Sequence, residues 1–194
     1  MSDLKSVCVY CGSCPGDDQA FIETGRKLGQ TMAAEGVELV FGGGDVGIMG
    51  ATANAVVEGG GRVTGIIPKF LRDVEIPSER IQELIITDSM HERKHDMYER
   101  SDAFVVLPGG IGTLEEVIEM ISWAQLRQHA KPIVLVSVNN YWDPFFALLD
   151  HVIHHGFARP EIRGLYHVVN SYEDVLPSIR KWMTDGNNGS MPKF

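Results

Sequence analysis

Seven short apolar runs punctuate the chain: SVCVY (6–10), VELVF (37–41), RVTGII (62–67), ELIIT (83–87), AFVVL (103–107), PIVLVSV (132–138) and LYHVVN (165–170). Most are unbroken rather than alternating, the pattern of strands buried on both faces. Between most of them lie segments with apolar residues at helical spacing, which predict helices over 17–35, 47–58, 90–101, 113–128, 143–155 and 172–184. The Asp17-Asp18 pair can serve the N-terminus of the first. In 113–128, Leu114, Val117, Ile118, Ile121 and Ala124 make one apolar stripe. Alternating strands and helices imply an α/β fold, a doubly wound, Rossmann-like sheet of about seven mainly parallel strands flanked by helices. The connection 68–82, with Pro68 and Pro77, is the least regular. The tail DGNNGSMPKF (185–194) reads as disordered, leaving 1–184 as a single domain without repeats.

In such sheets ligands bind beyond the carboxyl ends of the strands. Three glycine-bearing turns fall there: CGSCPG (11–16), FGGGDVGIMG (41–50) and LPGGIGT (107–113). Gly42, Gly44 and Gly47 match G-x-G-x-x-G, but the next strand ends in Ile67-Pro68 without the acidic residue a dinucleotide ribose requires. These glycines read either as a close approach to a smaller anion or as a tight turn that packs a helix on the sheet. The third turn carries more chemistry. Gly109, Gly110 and Gly112 expose backbone N–H groups, Thr113 adds a hydroxyl, and a helix start points its positive end at them. It lacks the Gly-Lys-Ser/Thr of a P-loop. Thr113 to Glu116 is also a capping box, with Thr113 as N-cap and Glu116 at the third helical position. On a helix Glu116 shares the face of Thr113, whereas Glu115 points to solvent or to a neighbouring subunit.

Composition narrows the partners. Of 194 residues, 44% are hydrophobic, enough for one full core, and the formal net charge of −9 disfavours nucleic acid. Met1 to Lys5 has no long apolar run, and no stretch approaches bilayer length, so a soluble cytoplasmic protein without a membrane partner is expected. Cys8, Cys11 and Cys14 are spaced C-x-x-C-x-x-C, followed by Pro15 as in some iron–sulfur runs. A fourth ligand is missing and Cys8 sits within an apolar strand, which favours structural thiols over a cluster. His91 and His95 lack a clear third ligand, and His151, His154 and His155 read as a solvated or subunit-facing patch. Trp123 reads as core or interface.

The stretch SMHERKHDMYERSDAFVVLPGGIGTLEEVIEMISWAQL (89–126) resembles the LOG ("lonely guy") family of cytokinin riboside 5′-monophosphate phosphoribohydrolases. Met90-His91-x-Arg93-Lys94 and Pro108-Gly109-Gly110-x-Gly112-Thr113-x-x-Glu116 carry the likeness. CGSCPG and FGGGDVGIMG are similar to the family's early loops, so it extends from Val7 to about Trp182. The resemblance implies cleavage of the N-glycosidic bond of adenosine or N6-modified adenosine 5′-monophosphates, giving free base and ribose 5-phosphate. It implies no cofactor and no metal, and a homodimer with its pocket near the subunit boundary. Arg93 and Glu116 become the catalytic pair. Gly110, Gly112 and Thr113 lie around the phosphate and Lys94 beside the nucleotide. Glu75 and Ser122 fall at further substrate positions, and Ser13, Gly43, Gly44, Gly109, Ile111, Leu114 and Glu115 complete the candidate binding set. Cys14 departs from the family, where serine is common.

This chemistry suits the residues. Breaking a glycosidic bond builds positive charge on the sugar. A carboxylate beside the anomeric carbon stabilises that charge and orients or deprotonates water. An adjacent Arg93 is expected to keep Glu116 ionised by lowering its pKa. Met90, Arg93, Lys94 and Met97 recur at helical spacing; without the resemblance, Arg93 in HERKHDMYER reads as a surface ion pair. The alternative function is a nucleotide-binding sensor, which needs the glycines but not both charged residues; an NAD-linked oxidoreductase is a third reading.

Overall fold

The computed structural model describes residues 4–72 and 80–185. Seven strands, β1 (Ser6–Tyr10), β2 (Glu38–Phe41), β3 (Val63–Pro68), β4 (Glu83–Thr87), β5 (Ala103–Val106), β6 (Ile133–Val136) and β7 (His167–Val169), form one sheet. Its order is β4-β3-β2-β1-β5-β6-β7. Every pairing is parallel, from Cys8 opposite Val40 on one side of β1 to Cys8 opposite Phe104 on the other. All seven expected strands are present. The helices are α1 (Gln19–Ala34), α2 (Gly47–Glu58), a single turn α3 (Lys69–Arg72), α4 (Met90–Glu99), α5 (Ile111–Gln125), α6 (Asp143–His154) and α7 (Val175–Asp185). The short α3 lies in the connection expected to be least regular.

Successive residues of a buried strand serve opposite layers. Val7, Val9 and Cys11 pack with α1, α2 and α7 through Leu28, Met32, Ala53, Val56 and Ile179. Cys8 and Tyr10 pack on the other side with α4, α5 and α6 through Met97, Val117, Met120 and Phe145. The crossovers therefore change face at β1 and β5, and the strand order reverses between them. Loops that leave these two strands turn to opposite sides and open a crevice at their carboxyl ends. Two bonds hold the crevice floor together: Leu107 N donates to Tyr10 O at 2.9 Å and Gly12 N to Pro108 O at 3.0 Å.

Two helix starts follow capping chemistry, and a third corrects the reading of the sequence. Asp18 caps α1, its Oδ1 accepting from Ala20 N at 2.8 Å. Ser89 caps α4, its Oγ accepting from Glu92 N at 3.2 Å, while Glu92 reaches back to Asp88 N at 2.8 Å. The capping box expected at Thr113–Glu116 is absent. α5 begins two residues earlier, at Ile111 with Gly110 as N-cap, so Thr113 lies within the first turn and makes no cap bond.

Candidate active site

Arg93 and Glu116 reach the crevice from two different helices. Both are buried, and Arg93 Nη2 lies 3.8 Å from Glu116 Oε1. Arg93 is on the inner face of α4 with Met97 and extends over the end of β3, where its Nε donates to Ile66 O at 3.1 Å. Nη1 meets a sulfur, Met90 Sδ, at 3.7 Å. One protein oxygen thus takes Nε, Nη1 meets the thioether, and Nη2 faces the carboxylate.

Glu116 departs from the expected ionisation. Burial pushes its carboxyl up to about 7, and the attraction of Arg93 offsets only part of that rise. A guanidinium 3.8 Å away cannot replace the water that a buried carboxylate loses. Glu116 is therefore poised near neutrality, the range in which a general base is most effective.

Beside this pair is the glycine turn. Cβ atoms built on Gly110 and Gly112 would meet nothing within 4 Å, so both leave bare, exposed backbone. Leu114 N is the first to bond within the helix, to Gly110 O at 3.0 Å. The N–H groups of Ile111, Gly112 and Thr113 precede it and have no intrahelical acceptor, which suits a phosphate. Thr113 is buried, and a Cβ on Gly109 would sit 2.1 Å from its Oγ1 and 2.8 Å from Gly12 N. Gly109 is thus the contact at which the β1 and β5 loops close on each other. Tyr141, from the segment after β6, braces the turn by donating its hydroxyl to Gly109 O at 2.6 Å. No local pattern in the sequence marked Tyr141.

The other candidates fall into distinct places. Ser13 is exposed, and its carbonyl packs beneath Gly47, whose φ of +65° needs glycine. Gly43 is buried at φ +84°, and Gly44 is buried beside it. Lys94 is tied to α5: its Nζ donates to Glu115 Oε1 at 2.5 Å and Glu119 Oε1 at 2.9 Å. Glu115 is otherwise exposed, as its helical position implied, Leu114 is half-buried, and Ile111 is exposed. Ser122 is exposed on the outer face of α5 with Ile118 and Leu126, away from the buried face that carries Glu116. Glu75 lies outside the described residues. Cys8 and Cys11 pack into opposite layers of the sheet, which rules out a shared metal ion, and burial pushes both thiols up so that they stay protonated. Among the described residues, no three His, Cys, Asp or Glu side chains converge as metal ligands.

A family model described as "possible lysine decarboxylase" matches residues 49–179. The cytokinin riboside 5′-monophosphate phosphoribohydrolase LOG of Oryza sativa subsp. japonica is 42% identical over 184 residues, covering 95% of this chain and 76% of that protein. The cytokinin riboside 5′-monophosphate phosphoribohydrolase LOG5 of Arabidopsis thaliana is 43% identical over 181 residues, covering 93% of this chain and 79% of that protein. The chain belongs to the LOG family. Among solved structures, the molybdenum cofactor carrier protein of Chlamydomonas reinhardtii superposes with a TM-score of 0.71 over 94% of this chain and 99% of that one. At 21% identity it shares the fold of this LOG-family chain, and nothing of its cargo carries over.

Proposed function

We propose that the protein hydrolyses the N-glycosidic bond of cytokinin riboside 5′-monophosphates, N6-modified adenosine monophosphates, with AMP as the unmodified congener. The products are free base and ribose 5-phosphate. The observation that carries this reading is the buried pair Arg93–Glu116, 3.8 Å apart, beside a helix start with unbonded N–H groups. The helix start grips the phosphate remote from the bond that breaks, and this binding energy holds the sugar against Glu116. Ionised Glu116 stabilises the positive charge that develops at the anomeric carbon and takes a proton from the attacking water. Arg93 offsets part of the cost of ionising this buried carboxylate and faces it across the pocket.

A homodimer fits the same surface. Ile111, Ile118 and Leu126 leave an apolar stripe along the outer face of α5, with 81%, 47% and 67% of their surface exposed. A second copy packed on this stripe covers it and places the partner beside the glycine turn and Ser122. No helix among the described residues is long and apolar enough to cross a membrane. Three unpaired cysteines suit the reducing cytoplasm.

The test is release of free base, followed by chromatography, from isopentenyladenosine monophosphate and separately from AMP, alongside Glu116→Gln and Arg93→Ala. Base release abolished by both substitutions is the expected result. Tight nucleotide binding with no release from either substrate would establish a sensor instead.

A further inference from the structure

Gly42 follows the last residue of β2 and lies against the guanidinium of Arg93. A Cβ built on Gly42 would stand 2.2 Å from Arg93 Nη2 and 3.4 Å from its Cζ, with Met49 Sδ next at 3.5 Å. The turn itself makes no demand for glycine at this residue. Its φ lies outside the left-handed region, unlike those of Gly43 at +84° and Gly47 at +65°. The backbone accepts alanine at 42; the position of Arg93 does not.

Two further contacts fix the guanidinium plane. Nε donates to Ile66 O at 3.1 Å, and Nη1 lies 3.7 Å from Met90 Sδ. With Gly42 under Nη2, the group is held from the β2, β3 and α4 sides and faces Glu116. We propose that Gly42 is a positioning residue whose missing side chain forms the seat that sets Arg93 against Glu116. The proposal rests on Arg93 and Glu116 being the catalytic pair. It differs from the reading of the same glycine as a point of close anion approach, because that role acts on nucleotide binding and does not pass through Arg93.

The obstructed atoms are the far end of a flexible side chain, so a methyl group at 42 displaces the guanidinium and leaves the fold intact. Gly42→Ala is therefore informative where many core glycine substitutions are not. Gly164→Ala is the control, since a Cβ there meets nothing within 4 Å. The nucleotide that gives base release with the unsubstituted protein is the substrate, and thermal melts verify folding. Gly42→Ala is expected to lower kcat by about 10²-fold, the consequence of a misplacement near 1 Å. KM should change by less than about threefold, since phosphate contacts are untouched. In an Arg93→Lys background, which has no Nη2 to obstruct, the same change should cost less than about threefold.

A second readout needs no turnover. Titration of the Glu116 carboxyl, followed by carbon NMR, should shift on Gly42→Ala when Arg93 is present and stay put in an Arg93→Ala background. An equal loss in both backgrounds, a loss confined to KM, or an unmoved Glu116 titration with Arg93 present would each overturn the proposal. If the unsubstituted protein releases base from neither nucleotide, the reaction assignment fails on its own, and the titration still decides the role of Gly42.

Discussion

Glu116→Gln should abolish base release and at the same time make the protein more stable above neutral pH. Folding carries the Glu116 carboxyl from its ordinary 4.5 up to about 7. Below 4.5 both the folded and unfolded chains hold the proton. Between those values the folded chain keeps a proton that the unfolded chain has lost, so stability falls as pH rises. Above about 7 the full cost of a buried carboxylate is present. At 1.36 kcal/mol per pH unit the interval amounts to roughly 3 kcal/mol, with the attraction of Arg93 already included. A neutral glutamine of the same shape never meets that cost. For a domain of this size, 3 kcal/mol corresponds to a melting temperature higher by roughly 6–12 °C at pH 8. Near pH 5 the advantage should shrink below about 1 kcal/mol, because Glu116 is then mostly protonated. Thermal melts of both proteins at pH 5 and pH 8, paired with the chromatographic assay, check this directly. A melting gap that is the same at both pH values, or a variant less stable than the parent at pH 8, would refute the argument that burial dominates this carboxylate.

Four further outcomes are expected. The pH profile of kcat/KM should rise through about 7 with the slope of one ionisation as Glu116 loses its proton, and a flat profile from pH 5 to 8 would remove it as the base. Gly109→Ala drives a methyl group into Thr113 Oγ1 and should cut kcat/KM by about 10–10²-fold, with weaker inhibition by ribose 5-phosphate in steady-state assays. Asp18→Ala removes the cap of α1 at a cost of about 1 kcal/mol, read as a lower denaturation midpoint with base release retained. Ile118→Arg places a charge in the outer stripe of α5, and sedimentation velocity should find dimers of the parent protein and monomers of the variant.

Much of the fold was legible because the strands β1, β3, β5 and β6 are buried on both faces. Such strands read as unbroken apolar runs, and β1 with its neighbours needs no context to be recognised. The start of α5 was misjudged for a physical reason. Gly110, Ile111 and Gly112 look like loop, since two glycines and an exposed isoleucine carry no helical signal. The first helical turn and the turn proposed to bind phosphate are the same residues, and its glycines conceal the helix. The Thr-x-x-Glu pattern at 113–116 has the form of a capping box. The pattern that caps a helix is Ser89 to Glu92, with the same spacing on a different helix. Spacing alone cannot distinguish them, because the outcome depends on which residue leaves helical geometry first.

The site was legible in its residues and not in its energetics. Helical periodicity places Glu116 on the face of Thr113 and turns Glu115 away, and the structure has both. Ionisation is different, because it is a contest between burial and a neighbouring charge, and a sequence supplies the neighbour without the burial. Reading Arg93 as the stronger influence predicted a depressed pKa, whereas the desolvation of a carboxylate within the α4–α5 layer outweighs a guanidinium at 3.8 Å. The same limit hid Lys94, whose ammonium is bound to Glu115 and Glu119. A lysine so engaged draws α4 toward α5 and helps to set how far Arg93 stands from Glu116. The two helices are thus linked by buried Lys94, held between the half-exposed Glu115 and the more buried Glu119, and by the buried Arg93–Glu116 pair. Buried and partly buried pairs are screened by salt far less than exposed ones. Raising ionic strength should therefore leave the Glu116 titration near its low-salt midpoint, and a midpoint that moves with salt would show that water reaches the pair.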